Sequence, residues 1–241
     1  LAVNATSLRH VLSYDTTVGG ATEGVGIGAN ADAHVISSTT KAEIANAAIN
    51  QSVAPAATAD VRVKSTSHHV LSSFGFSGGV GTGGGAGALG GDVFKTSTTA
   101  QVRDSAVKAG RDVVVRASNE SAQNGILAGA AGGGSAIAGS VGVVVFDGDV
   151  EAAILGGTTR ADRDVAVDAD NAQLLNQITG AGAIGVGGLA AAGSVAVAVS
   201  DTTTRALIGR STDVGQPTVV QSGRDVAVTA DSSDSINTFT M

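Results

Sequence analysis

The sequence contains no cysteine, no tryptophan and only two prolines, and aromatic residues make up 2% of its 241 positions. Without cysteine the chain forms neither disulfides nor thiolate sites. The low aromatic content also disfavours a thick globular core, because bulky aromatic side chains normally supply much of the volume of such a core. The 43% hydrophobic content is mostly alanine and valine. Such small side chains suit a repeat architecture, in which thin layers are covered by neighbouring units.

Charge is also scarce, at 15% of residues and a net value of −7. Nucleic-acid binding and docking on anionic lipid both need clustered lysine and arginine, so neither partner is expected. The uncharged runs between Glu120 and Asp147 and between Asp170 and Asp201 are long enough for membrane spans. They recur inside a strand repeat without aromatic girdles, which favours buried strands and no membrane insertion.

One short motif, Asp-Val-x-Val, recurs along the chain, and Leu1-Ala2-Val3 occupies the same place without the aspartate. The first apolar positions of the five copies are separated by 60, 52, 52 and 61 residues. The repeat positions are Asp60, Val61, Val63, Asp112, Val113, Val115, Asp164, Val165, Val167, Asp225, Val226 and Val228.

These spacings divide the chain into units of about 1–60, 61–112, 113–164 and 165–225, with a further unit beginning at 226–241. The longer units carry insertions, one of them near Val214-Gly215-Gln216-Pro217. Arginine precedes three of the aspartates, and glycine precedes two of those arginines, at Gly110 and Gly223. Gly-Arg-Asp predicts a turn in which glycine accepts a positive φ and aspartate is stabilised by local bonds and its preceding arginine. The chain begins and ends within a unit, which we interpret as a cut from a longer protein.

The hydrophobic periodicity is two, as in Val195-Ala196-Val197-Ala198-Val199, and this alternation predicts β-strands. Frequent glycine opposes helices at about 1 kcal/mol per position. A short helix competes only over residues 39–49. Each unit is expected to hold four or five strands of about five residues. The predicted fold is an all-β, repetitive parallel β-solenoid (β-helix) of about 26 residues per coil, flattened because glycine and alanine allow close sheet contact. The alternative is a β-prism or β-roll of stacked hairpins.

Longer blocks of the repeat also match each other. Residues 138–145 and 192–199 share Ala-Gly-Ser-Val followed by alternating small and branched residues, and residues 152–156 and 206–209 share an Ala-x-Ile-Gly-like end. Together with Asp164-Val165-Ala166-Val167 and the glycine–alanine run over 180–187, this pattern resembles the repeat arrays of very large secreted bacterial adhesins of the filamentous-haemagglutinin-like and leukotoxin-like type. The resemblance implies bacterial export to the cell surface or medium, a long stalk, and a role in adhesion or biofilm matrix.

Candidate sites are few, and the chain is not expected to be an enzyme or to hold a catalytic or cofactor-binding site. The repeated aspartates favour a turn-stabilising role over a ladder of calcium ligands, because calcium needs six to eight oxygens. Calcium binding and a polysaccharide-acting β-helix module remain the alternative functions. His68 and His69 point to opposite faces of a strand, which disfavours a shared metal. Threonines near 39–40, 98–99 and 202–204 suggest an ice-binding row, broken at Val150-Glu151. The expected partners are adjacent repeats, copies of the chain and an unidentified receptor.

Overall fold

The computed structural model describes residues 1–51, 55–209 and 217–241, and within them it contains strands and no helix. The insertion predicted near residues 214–217 therefore lies outside the described residues except for Pro217, directly before β8. The strands are β1 (Ala2–Gly20), β2 (Val25–Ala45), β3 (Ala48–Ile49), β4 (Val61–Ala109), β5 (Val113–Ala161), β6 (Val165–Gly185), β7 (Ala190–Ile208), β8 (Thr218–Ser222) and β9 (Val226–Thr240).

Every strand pair in the described part of the chain is parallel. The main path is β1-β4-β5-β6-β9, while β2 and β3 pair with β4, and β7 and β8 pair with β5. Val113 pairs with Val61 on one side and with Val165 on the other. The fold is thus an all-β parallel solenoid, as predicted. The alternative of stacked hairpins is wrong, because it requires antiparallel neighbours.

One coil of the solenoid takes a whole 52-residue unit, so the prediction of two coils of about 26 residues is wrong. Strands β4 and β5 each run unbroken for 49 residues. Every residue of β4 except Thr82 and Asp104 pairs with the residue 52 positions later in β5. The prediction of four or five short strands per unit also fails. Glycine does not interrupt the extended backbone here, because each residue in the run still bonds to the coil above or below.

Each coil runs outward, reverses at a glycine-rich tip and returns, so that two limbs face each other. In the second coil the outgoing limb spans 61–80, the tip lies at 81–83 and the return limb spans 84–109. Side-chain hydrogen bonds join the limbs: Ser73 Oγ donates to Asp92 Oδ2 over 3.1 Å, and Thr98 Oγ1 donates to Ser67 Oγ over 2.9 Å. At the extended rise of about 3.3 Å per residue, a limb is about 65 Å long.

The limbs make direct backbone contact near the tip, which produces the flattened cross-section expected from the sequence. A Cβ atom on Gly79 would lie 1.8 Å from the carbonyl oxygen of Gly85, and one on Gly28 would lie 1.9 Å from that of Gly78. Packed sheets usually stand about 10 Å apart because side chains separate them. Only glycine permits the closer approach seen here.

The interior side chains differ along each coil, from the base, where one coil connects to the next, to the tip. At the base, valine and alanine from successive coils form one cluster, which includes Val61, Val113 and Val165. Midway, Phe94 and Phe146 stack with ring centroids 4.8 Å apart. Nearer the tip the interior narrows to alanines such as Ala136. The small-residue layer predicted from composition therefore becomes thinner toward the tip, where bulky residues are excluded.

A corner near the base recurs in the first three coils. The backbone has positive φ at the equivalent residues Asn46 (49°), Asp104 (47°) and Gly156 (70°). Glycine, asparagine and aspartate are the residues that tolerate this region best. The helix considered for residues 39–49 is absent, since β2 continues to Ala45 and β3 follows this corner. Parallel pairing with β4 satisfies the backbone groups that a helix would have bonded internally.

Candidate functional site

The repeated aspartates form an edge along the base of the solenoid, which we call the Asp–Arg edge (Asp60, Asp112, Asp164, Arg111, Arg163 and Arg224). Arg111 donates from Nε to Asp60 Oδ1 over 2.7 Å. Arg224 donates from Nε to Asp164 Oδ1 over 3.1 Å. Each pair joins an aspartate to the arginine of the following coil. The edge therefore connects successive units rather than only closing a turn.

Backbone groups complete the same pattern. The amide of Asp112 donates to Asp60 Oδ1 over 3.3 Å, and the amide of Asp164 donates to Asp112 Oδ1 over 3.4 Å. The predicted partner, the arginine immediately preceding each aspartate, is the more distant one: Arg111 Nε lies 3.5 Å from Asp112. The predicted pairing with the preceding arginine is present at Asp112 and Asp164, over 3.5 and 3.7 Å. The contact with the neighbouring coil was missed, because sequence neighbours do not show which coil lies beside which.

The glycines before these arginines serve close approach, not the predicted positive φ. Neither Gly110 nor Gly223 is among the glycines with positive φ. A Cβ on Gly110 would lie 2.0 Å from the carbonyl oxygen of Ala56, and one on Gly223 would lie 2.1 Å from that of Asp162. The turn of one coil therefore rests directly on the backbone of the coil before it.

The valines of the motif occupy the interior. In the inner coils they are essentially inaccessible, whereas Val226 and Val228 on β9 are exposed because no further described strand covers them. The buried motif valines are Val61, Val63, Val113, Val115, Val165 and Val167. Side chains at alternate positions point outward. The Asp-Val-x-Val motif thus combines an inter-coil hydrogen-bonding group with two core residues.

The ion pairs of the Asp–Arg edge shift the titration of its members. The Arg111 guanidinium holds the pKa of the Asp60 carboxyl well below its ordinary value, with further help from Arg62. Arg224 likewise lowers the pKa of Asp164, and the pKa of Arg224 is raised in return. A carboxyl whose pKa is lower in the folded state stabilises the fold above its unfolded pKa, and this contribution is lost as the pH falls.

We expect Asp60→Asn to lower Tm at pH 7 by about 2–4 °C, the effect of losing up to about 1 kcal/mol from a partly exposed ion pair. The difference in Tm from the unaltered chain should narrow as the pH falls below about 4, because the unfolded chain then binds a proton at Asp60 that the ion-paired carboxylate of the folded chain resists. Thermal melts followed by circular dichroism between pH 7 and pH 2 measure this difference.

The matched control is Asp231→Asn. Asp231 lies on the exposed strand β9 and takes part in no ion pair within the described part of the chain. Its substitution should leave Tm unchanged across the same pH range. A difference for Asp60→Asn that stays constant down to pH 2 would contradict the assigned ionic role.

No metal centre emerges from the ranges 1–51, 55–209 and 217–241, which contain no group of three or more histidine, aspartate or glutamate side chains arranged to hold an ion. At the Asp–Arg edge, the oxygens of Asp60 bind guanidinium and amide groups instead. The two adjacent histidines point apart, as strand geometry predicts. His68 approaches Glu120 at 3.5 Å on the outer surface. His69 is fully buried, and that burial lowers its pKa.

A buried polar cluster near the first two coils escaped the sequence analysis. His34 Nδ1 lies 3.0 Å from Asp92 Oδ1, and its Nε2 lies 3.3 Å from Asp32 Oδ1. Gln123 Nε2 donates to Asp92 Oδ2 over 2.7 Å. Ser73 also donates to Asp92 and not to His34, so the cluster lacks the serine–histidine contact of a nucleophilic triad. The alternation of β2 places residues 32 and 34 on one face, and this was the signal in the sequence that could have indicated the cluster.

The threonines considered for ice binding do not share one surface. Thr39 points outward, whereas Thr40 and Thr98 are buried and bond to Ser67. Strand pairing continues the outward row from Thr39 through Ser97 to Asp149. Charged residues therefore interrupt the row. Thr40 and Thr98 instead form hydrogen bonds with Ser67 on the facing limb.

The outer surfaces of the limbs divide into two zones. Near the base they carry charged side chains such as Lys41, Asp149 and Arg205. Near the tip, the return limbs present an uncharged surface, which we call the valine face. It comprises the outward-pointing, odd-numbered residues of 25–35, 83–93, 135–145 and 189–199. Ser135 is the only member with a polar side chain. The opposite outer surface carries an asparagine ladder, in which Asn176 donates to Asn124 over 2.9 Å.

No family model, curated protein or solved structure matches this chain. In the described ranges, no helix is long and apolar enough to cross a membrane.

Proposed function

We propose that this chain is a structural segment of a large extracellular bacterial adhesin or matrix protein, in which it builds part of a stalk or filament. The main support is the in-register stacking of equivalent residues one coil apart. Val61, Val113 and Val165 lie directly above one another, and at each step of the Asp–Arg edge a backbone amide donates to the aspartate of the coil before it. Such an array can be extended by adding coils without changing any contact between neighbours.

The ends of the array support the same role. Within the described strands, β1 pairs only with β4 and β9 pairs only with β6, so each has one unpaired edge. Exposed strand edges accept further strands. We infer that neighbouring repeats of a longer chain cover them. The extracellular location and the adhesive role rest on the resemblance of the repeat to secreted adhesins.

Adding coils tests the filament proposal directly. We expect a chain with four further copies of residues 113–164 inserted after Asp164 to fold and to lengthen by about 19 Å, since adjacent parallel strands stand about 4.8 Å apart. Small-angle X-ray scattering measures the added length. Each inserted copy would present the same valines and the same aspartate to the coils on its two sides as residues 113–164 do.

The matched control inserts only residues 113–138, half of one coil. Because a coil takes 52 residues, the half insertion should prevent in-register stacking and lower Tm sharply or abolish folding. A full-unit insertion that fails to lengthen the molecule would contradict the proposal. Antibody labelling of intact and lysed cells of the source bacterium tests the location separately: labelling only after lysis would exclude a surface role.

Calcium binding and action on polysaccharide are the other functions suggested by the sequence. No contact in the described part of the chain favours either over the structural role.

A further inference from the structure

We propose that the valine face is a self-association surface, on which a second copy of this chain packs face to face. Its aliphatic side chains are strongly exposed: Val35, Leu89 and Ile137 have 69%, 55% and 61% of their surface accessible. They lie on adjacent coils of one sheet, so the exposure is contiguous rather than scattered. Contiguous apolar surfaces of this kind mark interaction sites.

The size of the face fits a dimer. Six alternate residues along each limb cover about 36 Å at the strand rise, and four coils cover about 19 Å across the sheet. The resulting area is about 700 Å², above the roughly 300–600 Å² of the largest apolar patch on a typical monomer. Packing in which residues 29–35 and their paired positions meet between the two copies buries about 500 Å² per copy, the size of a weak interface.

The charge distribution favours a copy of the same chain over an oppositely charged partner. The valine face has no charged side chain to attract one, while the chain as a whole carries −7. The charged residues that border the face on its base side are Lys95, Asp147 and Asp201, and Lys95 lies 3.9 Å from Asp147. Two copies that overlap only along their tip halves, in opposite directions, place these acidic groups on opposite sides of the dimer. Their repulsion is then small at moderate ionic strength.

The relief of the face is self-complementary. Strand pairing aligns Val35, Val93, Val145 and Val199 into a ridge. Six residues earlier on each strand, a second row of paired residues forms a groove that consists of Ala29, Gly87, Gly139 and Gly193. A two-fold axis that lies in the interface, parallel to these two rows and midway between them, places the ridge of each copy in the groove of the other. Such an isologous contact closes as a dimer.

Sedimentation of the purified chain tests the proposal. We expect a monomer–dimer equilibrium with Kd on the order of 1 µM, resolved between roughly 0.1 and 100 µM. Val93→Lys combined with Val145→Lys should weaken the dimer by about 100-fold or more, because it buries unpaired charge. Val93→Thr with Val145→Thr keeps side-chain shape and should weaken it by about 10-fold. Circular dichroism and Tm report whether each variant keeps its fold.

The matched control is Phe74→Lys with Ile126→Lys, on the outer surface of the outgoing limbs, which should leave dimerisation unchanged. A second readout uses the absence of cysteine from the chain. Val141→Cys should be captured as a dimer by a bismaleimide whose spacer matches the about 10 Å between packed sheets, and Thr99→Cys in the charged zone should not.

Four results would overturn the proposal. The first is a chain that stays monomeric at 100 µM, and the second is a dimer weakened equally by the control pair. The third is open-ended polymers insensitive to Val93→Lys with Val145→Lys, which would indicate association through strand edges. The fourth is a monomer that floats with phosphatidylcholine vesicles, which would assign the face to a lipid surface. None of these results bears on the lengthening expected from added coils, so the two proposals fail independently.

Discussion

Replacing Gly79 by valine is expected to destabilise the fold by at least about 3 kcal/mol. The new Cβ would lie 1.8 Å from the carbonyl oxygen of Gly85 and 2.7 Å from that of Gly26. Both contacts are to backbone, so no flexible side chain can move aside and the limbs must separate. Separation also exposes the neighbouring small-residue layer to water. Urea unfolding followed by circular dichroism measures the loss.

Gly91→Val is the matched control, because a Cβ at Gly91 meets no atom within 4 Å. Gly91 lies in the same coil and points outward, beside the paired Val143. Valine suits an exposed strand position at least as well as glycine does. We therefore expect an unchanged or slightly raised urea midpoint. The contrast separates the effect of close limb contact from a general cost of removing glycine.

Amide hydrogen exchange should locate the damage in the Gly79 variant. Protection is expected to fall around the tip, over residues 75–89, and to persist at the buried base around Val61 and Val113, because sub-global opening follows local contact loss. If Gly79→Val and Gly91→Val cost the same, or if protection falls uniformly, the close approach of the limbs does not limit stability.

Phe94→Ala should cost about 3–5 kcal/mol, the usual range for removing a buried phenylalanine. Phe94 is 1% exposed and stacks on Phe146, which is 2% exposed. In a chain with only five phenylalanines, this pair supplies much of the bulky volume in the middle of the interior. A decrease in Tm of roughly 10 °C is expected from differential scanning calorimetry.

Phe76→Ala provides the comparison. Phe76 is 37% exposed on the outer surface of the same coil and lies in tilted contact with Tyr14. Its removal should cost about 1 kcal/mol, because no closed cavity forms. Equal losses for Phe76→Ala and Phe94→Ala would show that the stacked pair does not form the central part of the core.

The strand class and the parallel repeat were predictable because both depend on local pattern. Alternation such as Val195-Ala196-Val197 has the period of a strand, and equal spacing of Val61, Val113 and Val165 predicts equivalent positions in a stack. The coil length was not predictable. A 52-residue spacing is compatible with one coil or with two, and glycine in the middle of the unit is as typical of turns as of close sheet contact.

The contacts between coils were also beyond sequence reasoning. The pairing of Arg111 with Asp60, 51 residues away, depends on which coil lies beside which. The same holds for His34 and Asp92, 58 residues apart, whose separation matches no local periodicity. Residues that share a strand face are recognisable from local alternation, but the limb that this face meets is not.

That this chain is all-β, repetitive and thin follows from its residues, because two-residue alternation, recurrent spacing and a lack of bulky side chains are local properties. The packing of the coils shows that each coil takes a full unit, that glycines such as Gly79 let the limbs approach closely, and that valines such as Val145 remain outside. Alternation assigns residues to two faces of a strand without marking which face is buried. That assignment depends on the limb that packs against it.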